Sequence, residues 1–244
     1  MRDDVATGRS VVVAGLKGGV GKTTVCLNLA ATLVSLERSV VVVDADIATP
    51  DIADTLQLDV NNRPTLDDVF AGEATVFDAV ATTAHGYDVL PVSDPRRAAA
   101  GDVDRLPRLV EVLKRRYDLI FVDSPPAMGY GASQAFGAAE ETMLVSTPRL
   151  PAVHSAKRTE QTARRYSVSS CGIVVNRTGP GNHPSGDRIA DYVGTSLLGT
   201  VPDDDTIPLA TDAGKPVAVH APESTASKAF RDVATTFTAT ARRD

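Results

Sequence analysis

Cysteine, histidine and long apolar runs are scarce in this sequence, and their scarcity argues against several classes of protein. The two cysteines, Cys26 and Cys171, lie far apart and outside any CxxC pair, so we expect neither a disulfide framework nor a zinc site. The four histidines show no metal-ligand spacing. No apolar run approaches the twenty residues of a membrane-spanning helix, and residues 1–10 lack the apolar segment of a secretory signal. We therefore expect a cytoplasmic protein.

Positive charge is also in short supply, since the net charge is -6, which argues against a globally basic nucleic-acid binder. A local basic cluster does occur on a predicted helix over 152–166, and it consists of Lys157, Arg158, Arg164 and Arg165. It fits either a DNA or acidic-partner patch or an ordinary solvated helix face, and we do not favour DNA binding. Lysine is rare and aspartate abundant, a bias that salt adaptation and GC-rich coding both produce, so its origin stays open.

Strand-like β-branched runs alternate with helical patterns along the chain. The strand-like runs lie at 11–13, 40–43, 88–92, 119–122, 142–145, 172–175 and 197–201, and the helical patterns at 23–36, 65–70, 74–81, 103–116 and 152–166. After a polar tail over residues 1–9, this order predicts one α/β domain over residues 10–244, a doubly wound and mostly parallel sheet flanked by helices. Ligands are expected at the carboxyl ends of its strands.

A glycine-rich segment follows the first predicted strand. It reads Lys17, Gly18, Gly19, Val20, Gly21, Lys22, Thr23 and Thr24. Its glycines allow successive N–H groups to point at phosphate oxygens, and the following helix adds its positive end. Lys22 would reach the β- and γ-phosphates, the Thr23 hydroxyl would bind Mg²⁺, and Thr24 would contact an α-phosphate. Leu16 stands where the strict P-loop pattern has glycine, but the order of strand, turn and helix is kept.

The same segment resembles the deviant Walker A motif of the MinD/ParA family of P-loop ATPases. In that family the first lysine, here Lys17, crosses to the nucleotide of the partner subunit. A second cation there would neutralise charge that develops in the transition state. The resemblance implies ATP and Mg²⁺ as ligands, an ATP-dependent homodimer, and catalytic roles for Lys17 and Lys22.

Two further predicted strands end in aspartate. Asp44 and Asp46 follow the run at 40–43, and Asp123 follows the run at 119–122. Aspartates after a strand often only form turns. The resemblance implies instead that Asp46 orients the attacking water, that Asp44 supports Mg²⁺, and that Asp123 holds Mg²⁺ through water as the Walker B carboxylate. Residues 124–129 would then form switch II.

Two later segments resemble the family's adenine site. Asn176 and Arg177 follow the run at 172–175, and an asparagine amide offers both a donor and an acceptor to a base edge. Pro202 and Asp203 resemble the loop that closes over the base. Each segment alone would be an ordinary turn. With the P-loop present, we interpret all four residues as nucleotide-binding.

The resemblance covers nearly the whole chain and implies a slow ATPase switch that converts ATP to ADP and phosphate. Such a switch positions a division site, a chromosome or plasmid, or a polar or motility complex, with an unidentified activator or cargo protein. An iron–sulfur scaffold or carrier is the alternative, although it needs paired cysteines. A non-hydrolysing ATP-binding adaptor is another. Segments 44–58 and 65–74 look closer to MinD and 125–127 closer to ParA, so the branch stays open.

The last helical pattern has apolar residues at i, i+3, i+4 and i+7, namely Phe230, Val233, Ala234 and Phe237. It could be mistaken for the membrane-binding helix that ends MinD proteins. Its position instead matches the last core helix of the family, so we expect this face to pack on the sheet. Direct membrane binding is not expected, and a partner would recruit the protein to a pole, nucleoid or membrane.

Overall fold

The computed structural model describes residues 8–100, 103–126 and 130–240. Within them, eight strands form one sheet. They are β1 (Arg9–Ala14), β2 (Val40–Asp44), β3 (Ala81–Thr82), β4 (Asp88–Leu90), β5 (Leu119–Asp123), β6 (Glu141–Ser146), β7 (Ser169–Thr178) and β8 (Leu197–Pro202). Their order is β3-β4-β2-β5-β1-β6-β7-β8, and every pairing is parallel except β3–β4. The predicted fold class is confirmed.

Helices connect the strands. They are α1 (Lys22–Val34), α2 (Ile52–Thr55), α3 (Leu66–Ala71), α4 (Val76–Ala79), α5 (Pro95–Ala100), α6 (Leu106–Leu113), α7 (Tyr130–Gly137), α8 (Leu150–Arg165), α9 (Gly186–Val193), α10 (Thr206–Asp212), α11 (Val217–His220) and α12 (Thr225–Thr240). A 3₁₀ turn at Val103–Arg105 precedes α6. A parallel crossover needs a long connection, and most of these helices supply it.

The central strands are buried on both faces because helices cover both sides of the sheet. All five residues of β2 and all five of β5 are buried. Alternate side chains then enter different cores: Val11 and Val13 pack in the cluster that contains α1 and α12, whereas Val12 packs in the cluster that contains α3 and α6. This explains why these strands read as continuous apolar runs rather than as alternating ones.

The predicted helix over 74–81 is wrong at its carboxyl end. Thr75 caps α4 by accepting a hydrogen bond from the Asp78 amide, but the helix ends at Ala79. Residues 81–82 instead form β3, which pairs antiparallel with β4 across a turn that contains Gly86 at φ 87°. The predicted helix over 103–116 is shorter in the structure. Six helices, α2, α5, α7, α9, α10 and α11, were not predicted.

The last helix packs on the sheet, as its position in the chain predicted. Phe230, Val233, Ala234 and Phe237 are all fully buried. The ring centroid of Phe237 lies 5.8 Å from that of Phe121 in β5. In the described part of the chain, no helix combines the length and the apolar character needed to cross a membrane.

Candidate functional site

The loop between β1 and α1 lies at the carboxyl edge of the sheet, as the sequence predicted. Gly19 and Gly21 have φ of 76° and 94°, a left-handed conformation that favours glycine. Gly21 is also the residue that precedes α1, which begins at Lys22. A Cβ at Gly19 would meet nothing within 4 Å, whereas one at Gly21 would lie well under 3.0 Å from Nδ2 of Asn176. Gly21 is therefore required both by its backbone angle and by close packing.

Asn176 holds this loop in place. Its Nδ2 donates to the Val20 carbonyl at 2.9 Å, and its Oδ1 accepts from the Arg177 amide at 3.0 Å. Asn176 is buried, and Arg177 has φ 54°, a strained value for a residue with a side chain. One amide N–H of Asn176 serves the loop and the other stays available to a ligand. Adenine contact by Asn176 remains a prediction.

The three predicted metal-binding residues come together at the adjacent ends of β2 and β5. Asp44 and Asp123 are register partners in the two strands. The Thr23 hydroxyl donates to Oδ2 of Asp123 at 2.5 Å, and the Ile52 amide donates to Oδ2 of Asp44 at 3.4 Å. The Oδ1 atoms of both aspartates are buried without a hydrogen-bond partner. Such orphaned acceptors are costly unless a further group satisfies them.

Burial also controls the protonation of this pair. Loss of water raises the pKa of Asp123 to about 7, although the Thr23 hydroxyl and the Lys22 charge oppose the shift. Loss of water and the neighbouring Asp123 raise the pKa of Asp44 well above its ordinary value. A cation next to both carboxylates would favour their charged forms. No group of three His, Cys, Asp or Glu side chains within the described ranges could hold a metal alone. The residues therefore fit Mg²⁺, which takes few protein ligands and completes its shell with phosphate and water.

A cavity of about 530 Å³ opens beside the loop. Its walls include the predicted residues Gly18, Gly19, Gly21, Lys22, Thr23, Thr24, Asp46 and Arg177, together with Thr49, Pro50, Asp51 and Pro126, which were not predicted. Lys22 is 8% exposed. Oδ1 of Asp46 accepts from the amide of Thr49 at 3.3 Å and from its hydroxyl at 3.1 Å. Lys22, Thr23 and the glycines of the loop thus border a space suited to a polyphosphate.

Lys17 is not among the residues that line this cavity. It is exposed on the same loop, whereas Val20 is buried beneath the loop. Its predicted role needs a second subunit and stays a prediction. Of the predicted switch II, Ser124 is fixed to β1 through a bond from its hydroxyl to the Val13 carbonyl at 2.9 Å. Residues 127–129 lie outside the described residues.

A second cavity, of about 410 Å³, lies next to the first and shares Thr24 and Arg177 with it. Asn176 and Asp203 line it, as predicted for a base site. Pro202 ends β8 and is not part of its lining. The residues that sequence reasoning missed here are Asp204 and the α10 side chains Ile207, Pro208, Thr211 and Asp212. Two neighbouring cavities, one bordered by the phosphate loop and one by Ile207 and Pro208 of α10, match the two halves of a nucleotide.

Asp204 organises the wall of this second cavity. Its Oδ1 accepts from the amide and the hydroxyl of Thr206 at the start of α10, at 2.9 and 2.6 Å. Its Oδ2 accepts from the Thr225 hydroxyl and the Ala226 amide at the start of α12, at 2.5 and 3.1 Å. These bonds hold the pKa of Asp204 well below its usual range. An aspartate often accepts from the backbone amide two residues later, and this local preference is the sequence signal that could have revealed the contact of Asp204 with Thr206.

Known proteins resemble the chain over nearly its full length. A family model described as ParA, NUBPL iron-transfer P-loop NTPase, matches residues 7–238. The septum site-determining protein MinD of Synechocystis sp. is 32% identical over 233 residues, which cover 93% of this chain and 88% of that protein.

Solved structures agree with this likeness. The cell division ATPase MinD of Pyrococcus furiosus superposes with a TM-score of 0.90 at 31% identity, covering 95% of this chain and 99% of that one. The septum site-determining protein MinD of Pyrococcus horikoshii, solved with Mg-ADP, has a TM-score of 0.88 at 30% identity and covers 93% and 94%.

Proposed function

The chain belongs to the ParA family of P-loop NTPases, and we propose that it is a Mg²⁺-dependent ATPase that dimerises with ATP to position a cellular component. The observation that carries the proposal is the hydrogen bond from the Thr23 hydroxyl to Asp123, beside two buried carboxylate oxygens without a partner and next to a cavity that Thr23 and the P-loop glycines line. The Thr23 hydroxyl would bind the Mg²⁺ directly, and Asp123 would bind it through water. Asp44, next to Asp123, would support the site. Bound Mg²⁺ supplies charge neutralisation to the phosphates.

The side chains of this cavity fit the steps of phosphate hydrolysis. Lys22, which is largely buried, would bind the β- and γ-phosphates, and backbone amides of the loop would bind the remaining oxygens. Asp46 lines the same cavity, where its carboxylate would accept a hydrogen bond from the attacking water and hold it in line. The adenine would lie in the second cavity against Asn176 and α10.

Lys17 supports the dimer proposal by its position. It is exposed and lies outside the lining of its own cavity, so in a face-to-face dimer its ammonium group would be free to reach the phosphates of the partner. A cation delivered in this way stabilises transition-state charge only in the dimer. Slow hydrolysis would then limit the lifetime of the dimer.

The positioning role comes from the relatives, which are named for septum-site determination and cell division. An activator or cargo protein would complete the cycle, and such a partner would recruit the protein from the cytoplasm to its site. Iron transfer, named in the family description, is disfavoured here. Cys26 and Cys171 are both buried, and burial raises the pKa of each thiol, so neither presents a thiolate at the surface.

Two substitutions test catalysis. Lys22→Ala removes charge-assisted bonds worth about 1.5–3 kcal/mol each and should weaken ATP binding by roughly a hundredfold or more. Asp46→Ala should keep ATP binding but slow hydrolysis by about 10²-fold or more. Isothermal titration and phosphate release measure the two effects. Normal turnover by Asp46→Ala would remove that residue from the water-orienting role, and ATP binding without any hydrolysis by the wild type would favour an adaptor.

The dimer is tested separately. Light scattering should find the Asp46→Ala protein monomeric when free or with ADP and dimeric with ATP and Mg²⁺. Lys17→Ala, in the otherwise wild-type chain, should bind ATP normally but hydrolyse it slowly. A monomer at saturating ATP would contradict the sandwich, and a dimer under all conditions would contradict the switch.

A further inference from the structure

Asp51 occupies the N-cap position of α2 but does not cap the helix. An aspartate at this position normally accepts a bond from an amide of the first helical turn. Here the Asp51 side chain makes no cap hydrogen bond, and its φ is −134°. The first amide of α2, from Ile52, donates to Asp44 instead. The local structure of α2 therefore does not use the Asp51 carboxylate.

The carboxylate faces the phosphate cavity. Asp51 lines that cavity together with Lys22, Thr23 and Asp46. Asp51 is exposed as a residue, yet partial removal of its carboxyl group from water raises its pKa, and the nearby Thr23 hydroxyl opposes the increase. The side chain thus lies beside the hydroxyl that we assign to Mg²⁺.

Thr23 bonds to Asp123 and lines the same cavity as Asp51, but it has only one hydroxyl proton. That proton goes to Oδ2 of Asp123 at 2.5 Å, so it does not serve Asp51 at the same time. Independently, Oδ1 of Asp44 and Oδ1 of Asp123 are unpartnered on residues that are 0% and 1% exposed. Buried acceptors without donors, next to a further carboxylate, indicate that a cation with its water shell belongs here.

We propose that Asp51 is a positioning residue for Mg²⁺, and that its carboxylate accepts hydrogen bonds from water molecules that complete the shell of the ion at Thr23. This role rests on the proposed function. Mg²⁺ keeps several waters in protein sites, and those waters need acceptors. Partners of this kind change metal affinity by about 10–100-fold when they are removed. Because Asp51 lies between Asp46 and α2, the same carboxylate links the ion to the segment that carries the water-orienting residue.

The test compares Asp51→Asn with Asp54→Asn. Both changes remove one charge next to or within α2 and keep the shape of the side chain, but Asp54 is exposed and is not part of the cavity lining. Mn²⁺ serves as the probe, and electron paramagnetic resonance counts free Mn²⁺ in a titration at saturating ADP. We expect Asp51→Asn to weaken Mn²⁺ binding by about 10–100-fold, and Asp54→Asn to change it by less than about twofold. ADP affinity without metal and the melting temperature should match the wild type for both variants.

Equal Mn²⁺ affinities for the two variants would overturn the proposal. The proposal would also fail if Asp51→Asn weakened metal-free ADP binding by as much as it weakened Mn²⁺ binding. Asp51 would then shape the loop rather than hold the ion. If the wild type binds ADP and Mn²⁺ but the variants do not differ, only the role of Asp51 fails. A wild type that binds no ADP would overturn the proposed function and this role together.

Discussion

Substitution of Gly21 by alanine tests whether the P-loop is shaped by its contact with Asn176. At φ 94° an alanine costs about 1–2 kcal/mol more than glycine. Its Cβ would also overlap Nδ2 of Asn176, which must then give up its bond to the Val20 carbonyl. That loss adds about 1–2 kcal/mol, including the cost of a poorly satisfied carbonyl. The total cost, about 2–4 kcal/mol, destabilises the conformation in which the loop binds phosphate, so ADP affinity should drop by roughly 30- to 1000-fold.

Gly19→Ala is the matched control. Gly19 also has a positive φ, 76°, but a Cβ there meets nothing within 4 Å. Only the backbone cost of about 1–2 kcal/mol applies. ADP affinity should therefore fall by about 5- to 30-fold, clearly less than for Gly21→Ala.

A double-mutant cycle isolates the contact. In an Asn176→Ala background the overlapping group is gone, so Gly21→Ala should cost only its backbone strain. The coupling energy between the two positions should be about 1–2 kcal/mol, in the range that contacting residues show. Titration calorimetry gives ADP affinity, and urea unfolding followed by circular dichroism gives stability, because the chain has no tryptophan to serve as a fluorescent probe. Additive effects, or equal losses for Gly19→Ala and Gly21→Ala, would refute the reasoning.

Two further predictions concern stability and membranes. Asp204→Asn should destabilise the protein by about 1–2 kcal/mol near pH 7, because a charged acceptor to α10 and α12 is lost. The pKa of Asp204 is lowered by folding, so its stabilising contribution is fully present above the ordinary carboxyl pKa and is lost progressively as pH falls through the lower value. The unfolding free energies of wild type and variant should therefore begin to approach each other only below about pH 4, with exposed Asp203→Asn as the control. The 244-residue chain should not sediment with anionic liposomes, with or without ATP. The reason is that the apolar face of α12, including Phe230 and Phe237, is buried in the core. ATP-dependent sedimentation of the purified chain would contradict this prediction.

The strands and the phosphate loop were predictable because their signals are local. A run of β-branched residues between helical patterns identifies a buried parallel strand. A glycine-rich turn between a strand and a helix predicts a phosphate loop without knowledge of the rest of the chain. The same local reasoning failed at residues 81–82, where pairing with β4 outweighs the short helical pattern. It also missed α10, whose start depends on the acceptor supplied by Asp204.

The pairing of Asp44 with Asp123 shows where local reasoning ends. Each aspartate could be identified from the strand that precedes it. That the two lie side by side follows from the parallel register of β2 and β5, which is set by packing across the whole sheet. Their unpartnered oxygens, and hence the fit to a cation, are visible only once that register is known.

Sequence alone was enough to identify seven of the eight described strands, the phosphate loop, and the aspartates at the strand ends, since these depend on neighbours within a few residues. Long-range packing was needed to show that Asn176 holds the loop 156 residues earlier in the chain, that Asp51 lines the phosphate cavity instead of capping its own helix, and that Asp204 joins α10 to α12. Each of these contacts joins side chains that local propensity leaves independent. They meet only because burial of the two helix layers against one sheet fixes where every strand ends.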